Sequence, residues 1–255
     1  MLFRDGVVLG ADTRATAGSI VADKNCEKIH FIADNIYCCG AGTSADTEAV
    51  TAMVSAQLAL HRLATARTPR VVTACTLLKQ FLFARQGHVS AYLVLGGVDQ
   101  TGASLYTVAA HGSTDRLPFV TMGSGSLAAM AVFEDRWQEN LELDAAVLLV
   151  QQAIMSGVNN DLGSGGNVDI TIITKAGAEI RRNSLTPNER PFRRPGGYTY
   201  PRGTTAVLRE SFTPLPPRVV RGAPVPAAAA VAAAAAAAGN DDDDKDDKAV
   251  AMKTD

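Results

Sequence analysis

Gly6-Val-Val-Leu-Gly-Ala-Asp-Thr-Arg-Ala15, with Asp23-Lys-Asn-Cys-Glu-Lys28 a short step beyond it, is the stretch on which the reading of this chain turns. Val7-Val8-Leu9, Ser19–Ala22, Ile29–Ile32 and Asn35–Cys39 are β-prone runs punctuated by Asp5-Gly6, Ala17-Gly18 and Asp34-Asn35. Strands so closely spaced point to antiparallel pairing, because parallel neighbours need a long crossover between them.

Downstream the period changes. Val50, Met53, Val54 and Leu58 recur at helical spacing, as do Val71, Ala74, Cys75, Leu78 and Leu82, and Pro69 separates the two helices. A second strand block follows, with Ala91–Leu95, the turn Asp99-Gln-Thr-Gly102, Ser104–Val108 and Phe119–Met122. Two further helices are predicted, from Ser126 to Trp137 and from Asp144 to Asn160, the second with Asp144 as N-cap. Val168–Ile173 and Glu179–Arg182 close the body. Strands, two helices, strands, two helices, strands is not βαβ alternation. It is an α+β order suited to two antiparallel sheets stacked between helix layers.

The core is expected over 1–182. From Asn183 the composition turns to Arg, Pro and Gly, which predicts an extended arm over 183–213 with one strand at 203–208. Residues 214–255 are alanine-rich and then acidic, with no core-forming pattern, and a disordered tail is expected there.

Across 255 residues, 47% hydrophobic content supports a sizeable core, and a net charge of -2 gives no global attraction to nucleic acid or anionic membrane. No apolar run reaches the roughly 18 residues of a membrane span, and no secretory signal is evident at the start. We therefore expect an intracellular protein with neither nucleic acid nor membrane as partner. Cys26, Cys38, Cys39 and Cys75 have no paired spacing and read as free thiols, with Cys38 and Cys39 on opposite faces of a strand. His61, His88 and His111 show no ligand spacing, so no metal and no cofactor is expected. Cys39-Gly-Ala-Gly-Thr-Ser-Ala45 does satisfy a dinucleotide fingerprint, but two helices follow it where a returning strand with an acid is required.

Six segments carry a more specific signal: Gly10–Ala15, Ala22–His30, Tyr37–Thr43, Gly112–Asp115, Met122–Asp135 and Asn160–Gly165. Together they resemble the catalytic β subunits of the proteasome, of the type that cleaves after basic residues, and the resemblance runs from Met1 to Thr205. It implies the four-layer αββα sandwich of the N-terminal-nucleophile hydrolases. It also implies a threonine endopeptidase without cofactor, working in a hetero-oligomeric 28-subunit core with other β and α subunits on unfolded polypeptides. The arm after Asn183 matches the extension that embraces a neighbouring β subunit.

The same resemblance assigns roles. Lys28 matches the lysine beside the catalytic threonine and Asp12 the carboxylate paired with it. An ammonium there favours the alkoxide and a neutral amine. Ser124, Asp161 and Ser164 match the supporting hydrogen-bond network, and Gly42 the oxyanion donor. Cys26, His30, Gly40 and Glu48 match the first specificity pocket, where a glycine leaves depth and a glutamate favours Arg or Lys. Thr16 and Ser44 match residues that pair with extended substrate. The nucleophile itself would open a Thr-Thr-x-x-Gly sequence five residues before Met1, so Met1 is expected to be internal to a longer precursor. The alternative is a ring subunit that holds neighbours without cutting.

Overall fold

Apolar side chains on both faces of one short segment organise the molecule. In Gly6–Asp12 (β2), Val7, Leu9 and Ala11 point into one buried cluster and Val8 into another. A strand buried on both faces must lie between two layers.

The computed structural model describes residues 1–192 and 194–215, in two units that divide after Phe192. In the first, β1 (Leu2–Phe3), β2, β10 (Val168–Thr174) and β11 (Gly177–Leu185) form a sheet in the order β1-β2-β10-β11. A second sheet runs β5 (Ile29–Ala33), β6 (Ile36–Gly42), β7 (Ala91–Asp99), β8 (Gly102–Val108), β9 (Thr114–Arg116). Both are antiparallel throughout. A small hairpin, β3 (Ala15–Ala17) with β4 (Ile20–Asp23), stands apart.

Three apolar clusters define the layers. Cys38, Leu93 and Leu95 of the five-stranded sheet pack with Val50, Val54, Leu58, Leu78 and Leu82 of α1 (Ser44–Thr65) and α2 (Val71–Phe83). Val7, Leu9, Val94, Leu105 and Ile173 fill the space between the sheets. Val8, Ile170 and Ile172 meet Phe133, Ala146 and Val150 of α3 (Ser126–Arg136) and α4 (Leu143–Asn160). The result is the expected αββα sandwich. Cys38 and Cys39 do face opposite sides, Cys38 toward α1 and α2, Cys39 toward the other sheet, and all four cysteines are free.

Four expectations change. Phe119–Met122 is irregular rather than a strand: Phe119 stacks at 5.2 Å on Trp137 and 5.9 Å on Phe133, and Val120 enters the inter-sheet core, so packing rather than a ladder uses these apolar residues. Asp144 lies inside the first turn of α4; Glu142 holds the N-cap position and no side chain caps it. The body continues beyond 182, because β11 runs to Leu185 and its unit to Phe192. Residues 203–208 are turn and irregular backbone, with no partner strand among the described residues of their unit, and an unpaired strand has no ladder to stabilise it. Of the expected tail, residues 216–255 lie outside the described residues. No described helix is long and apolar enough to cross a membrane.

Gly10 fixes how closely β2 approaches α4, since a Cβ there would overlap Val150 Cγ1. Gly10→Ala is expected to destabilise the unit by about 1–3 kcal/mol through overpacking. Urea unfolding followed by far-UV circular dichroism should show the lowered midpoint.

Candidate active site

Asp12 closes β2, where its pairing with Val168 holds the backbone rigid. Lys28 sits in the irregular segment before β5, and its Nζ donates to Asp12 Oδ1 at 2.7 Å. The other carboxylate oxygen accepts the backbone N–H of Gly165 at 3.0 Å and of Arg14 at 3.2 Å. Both side chains are largely shielded, 23% and 15% exposed, so this ion pair is better insulated from screening than a surface pair.

A second polar group forms at the C-terminal end of α4. Asp161 Oδ2 accepts from Ser124 Oγ at 2.6 Å and Ser164 Oγ at 2.7 Å, and Oδ1 accepts from the Gly163 N–H at 3.1 Å. The Ser124 hydroxyl is the main cause of an Asp161 pKa below the ordinary carboxylate value, with Ser164, Gly163 and the Arg14 charge adding to it against a desolvation penalty. Asp161 is thereby kept ionised, and two oriented hydroxyls stand beside it.

These groups converge on a cavity of about 520 Å³. Asp12, Thr16, Cys26, Lys28, His30, Gly40, Gly42, Ser44, Ser124 and Ser164 line it; Asp161 stands behind its two serines, and Glu48 is exposed near the start of α1, outside the lining. Glu48 still acts at the wall. Burial lowers the His30 pKa, and the charges of Glu48 and Glu27 oppose that shift. Burial raises the Cys26 thiol pKa, so Cys26 presents itself as a neutral wall group.

Gly40 and Gly42 are glycine for different reasons. A Cβ on Gly40 would come within 2.8 Å of Thr47 Cβ, so any side chain there would occupy the recess. Gly42 has φ +106 at the junction of β6 and α1, and a Cβ would strike the Ser90 carbonyl.

Several contributors were not anticipated from sequence. The fully buried Thr13 accepts from the Asn167 N–H at 2.8 Å and donates to the Lys24 carbonyl at 2.7 Å, tying the Lys28 segment to the strand below. Arg14 donates to Leu162 O at 2.8 Å, linking the two polar groups. Both lie inside the quoted Gly10–Ala15 motif, which was the available signal. Thr47, the floor under Gly40, lay on a helix face and gave none. The described residues contain no cluster of His, Cys, Asp and Glu able to hold a metal.

The sandwich and the position of this site at the end of β2 define the class as an N-terminal-nucleophile hydrolase fold. The family described as Proteasome subunit matches residues 1–173. Similar proteins include proteasome subunit beta type-7 of Dictyostelium discoideum, 60% identical over 86% of this chain and 82% of that protein. Proteasome subunit beta type-7-B of Arabidopsis thaliana is 63% identical over 86% of this chain and 80% of its own. Proteasome subunit beta type-2 of Saccharomyces cerevisiae is 54% identical over 82% and 80% respectively. The chain belongs to the proteasome subunit family, as a β subunit of the 20S core; by family it is a protease and assembles with other proteasome subunits.

Because its folded pKa is lowered, Asp161 contributes stability that is present above its unfolded value near pH ~4 and is lost as pH falls through the lowered one. Ser124→Ala should therefore be less stable than the parent above about pH 4, with the gap closing in stronger acid. Urea midpoints measured across pH read this directly.

Proposed function

We propose that this subunit is a threonine-type endopeptidase cleaving after basic residues, with its nucleophile on the chain that precedes Met1 in the full gene product. One observation carries the reading: among the described residues the β1–β2 ladder covers β2 only as far as Val8, and the strand edge runs on from there to Asp12, the partner of Lys28. Met1 and Val8 exchange both backbone hydrogen bonds, at 2.8 and 3.0 Å, in the β1–β2 register that pairs Leu2 with Val7. Continued backwards, that register sets preceding residues against Leu9, Gly10, Ala11 and Asp12. The fifth would fall opposite Thr13, one residue beyond Asp12, which holds Lys28 Nζ. Met1 and Val8 to Asp12 all line the cavity, with Phe133, Val150 and Ile154 beneath.

In the proposed mechanism a threonine amine takes the proton from its own hydroxyl, and the Lys28 ammonium favours the alkoxide. Asp12 holds Lys28 oriented, and its second oxygen accepts from Gly165 and Arg14. Ser124, Asp161 and Ser164 would orient the amine. The Gly42 N–H, at the start of α1, would stabilise the tetrahedral oxyanion with help from the helix dipole. Substrate would add as a strand along Thr16 and Ser44, its basic side chain entering between Cys26, His30 and Gly40 toward the field of Glu48. The subunit would act in cytoplasm and nucleus inside the 28-subunit core, on unfolded chains.

The genomic frame upstream of Met1 should read Thr-Thr-x-x-Gly; a stop codon there would overturn the nucleophile assignment. In assembled particles carrying the extended chain, Lys28→Ala should lower cleavage after Arg by at least about a hundredfold. Glu48→Gln should narrow the preference for Arg over a neutral side chain, seen as a raised KM for an Arg peptide alone.

A further inference from the structure

We propose that Arg182, seated on buried Asp169, is a positioning residue that fixes Lys28 and the Cys26 wall by holding the backbone segment that carries them. This rests on the role of Lys28 proposed above.

The segment between β4 and β5 carries Cys26 and Lys28 yet has no regular structure of its own. Its backbone is held from outside. Arg182 Nη2 donates to the Asn25 carbonyl at 2.8 Å and Nη1 to the Cys26 carbonyl at 3.4 Å. The same guanidinium is ion-paired with Asp169, whose side chain is 3% exposed. A planar fork that meets a carboxylate and two carbonyls at once fixes direction as well as distance.

The strand is shaped for this task. Between Val168↔Leu185 and Ile170↔Arg181 the β10–β11 register slips, leaving Arg182, Asn183 and Ser184 opposite Asp169 alone. Asn183 occupies the left-handed region at φ 51, and its N–H donates to Asp169 Oδ1 at 2.8 Å. A bulge with a left-handed residue turns side chains out of the regular alternation, and here it aims Arg182 at the segment. The buried Asp169 thus anchors both the bulge and the arginine. With Arg182 removed, Asp169 is left with an unpaired charge and two carbonyls lose their donor.

The test uses assembled particles carrying the extended chain, with incorporation verified by intact mass. Arg182→Ala should lower kcat/KM for an Arg peptide about tenfold, as expected for a sub-ångström displacement of a catalytic group. It should also shift the acidic limb of the pH–rate profile, because a displaced Lys28 acts on the nucleophile with a weaker field. Arg182→Lys keeps a cation at Asp169 without the fork, and should fall between the two. If Arg182→Ala does not incorporate, Arg182→Lys carries the test alone. A wild-type kcat/KM and pH profile in whichever variant assembles overturns the proposal. Lys28→Ala run alongside separates the two levels: full activity in that variant overturns the reading of the site and this inference with it. Loss in Lys28→Ala beside an unchanged Arg182 variant overturns the inference alone.

Discussion

The antiparallel ladder between β2 and β10 is the constraint from which the rest of the molecule follows. It places a strand that is buried on both faces at the meeting of two sheets and two helices, and it ends in register at Val168↔Asp12. Asp12 is therefore positioned by backbone hydrogen bonds running the length of the strand rather than by a loop. Once Asp12 is fixed, Lys28 has a partner, Gly165 and Arg14 have an acceptor, and the segments on either side of the cleft acquire their geometry. A carboxylate accepting from an ammonium and two amides has little freedom to reorient, which is the preorganisation that proton transfer and charge stabilisation require.

The two polar groups divide the work by environment. Lys28 and Asp12 form a shielded pair whose opposite charges hold each other. Asp161 is kept ionised by hydroxyl and amide donors rather than by a cation in contact. The first arrangement supplies a fixed positive field, and the second supplies oriented hydroxyl oxygens. Arg14 connects them, touching Asp12 through its backbone and the Leu162 carbonyl through its side chain.

Layer order and most elements were legible in the sequence because period and punctuation coincide with burial. The helical spacing of Val50, Val54 and Leu58 is the face of α1 that covers the five-stranded sheet, and Pro69 marks the break before α2. What the sequence did not reveal depended on contacts remote along the chain. Phe119–Met122 has strand composition but is consumed by packing on Phe133 and Trp137. The run at 203–208 is equally β-prone and has no partner strand among the described residues of its unit. At the site, the motifs marked Asp12, Lys28, Ser124, Asp161 and Ser164, and the structure gathers them. Thr13, Thr47, Asp169 and Arg182 act through geometry alone: a buried hydroxyl between two backbone groups, a floor under a glycine, a bulge that redirects a side chain. Of these only Thr13 lies inside a recognisable motif, and the others leave no spacing pattern.

The hydrogen bond from Gly165 to Asp12 spans 153 residues of chain, and Asp161 meets Ser124 across 37. Such contacts form late, since the entropy of closing long loops must be met before they stabilise anything. A chain emerging from the ribosome can complete β1 to β6 and both helices of the first layer while Asp12 still lacks the Gly165 donor. Both polar groups of the cleft thus stay incomplete until the segment that leads into β10 has docked, so an unfinished polypeptide carries the parts of the site without their arrangement.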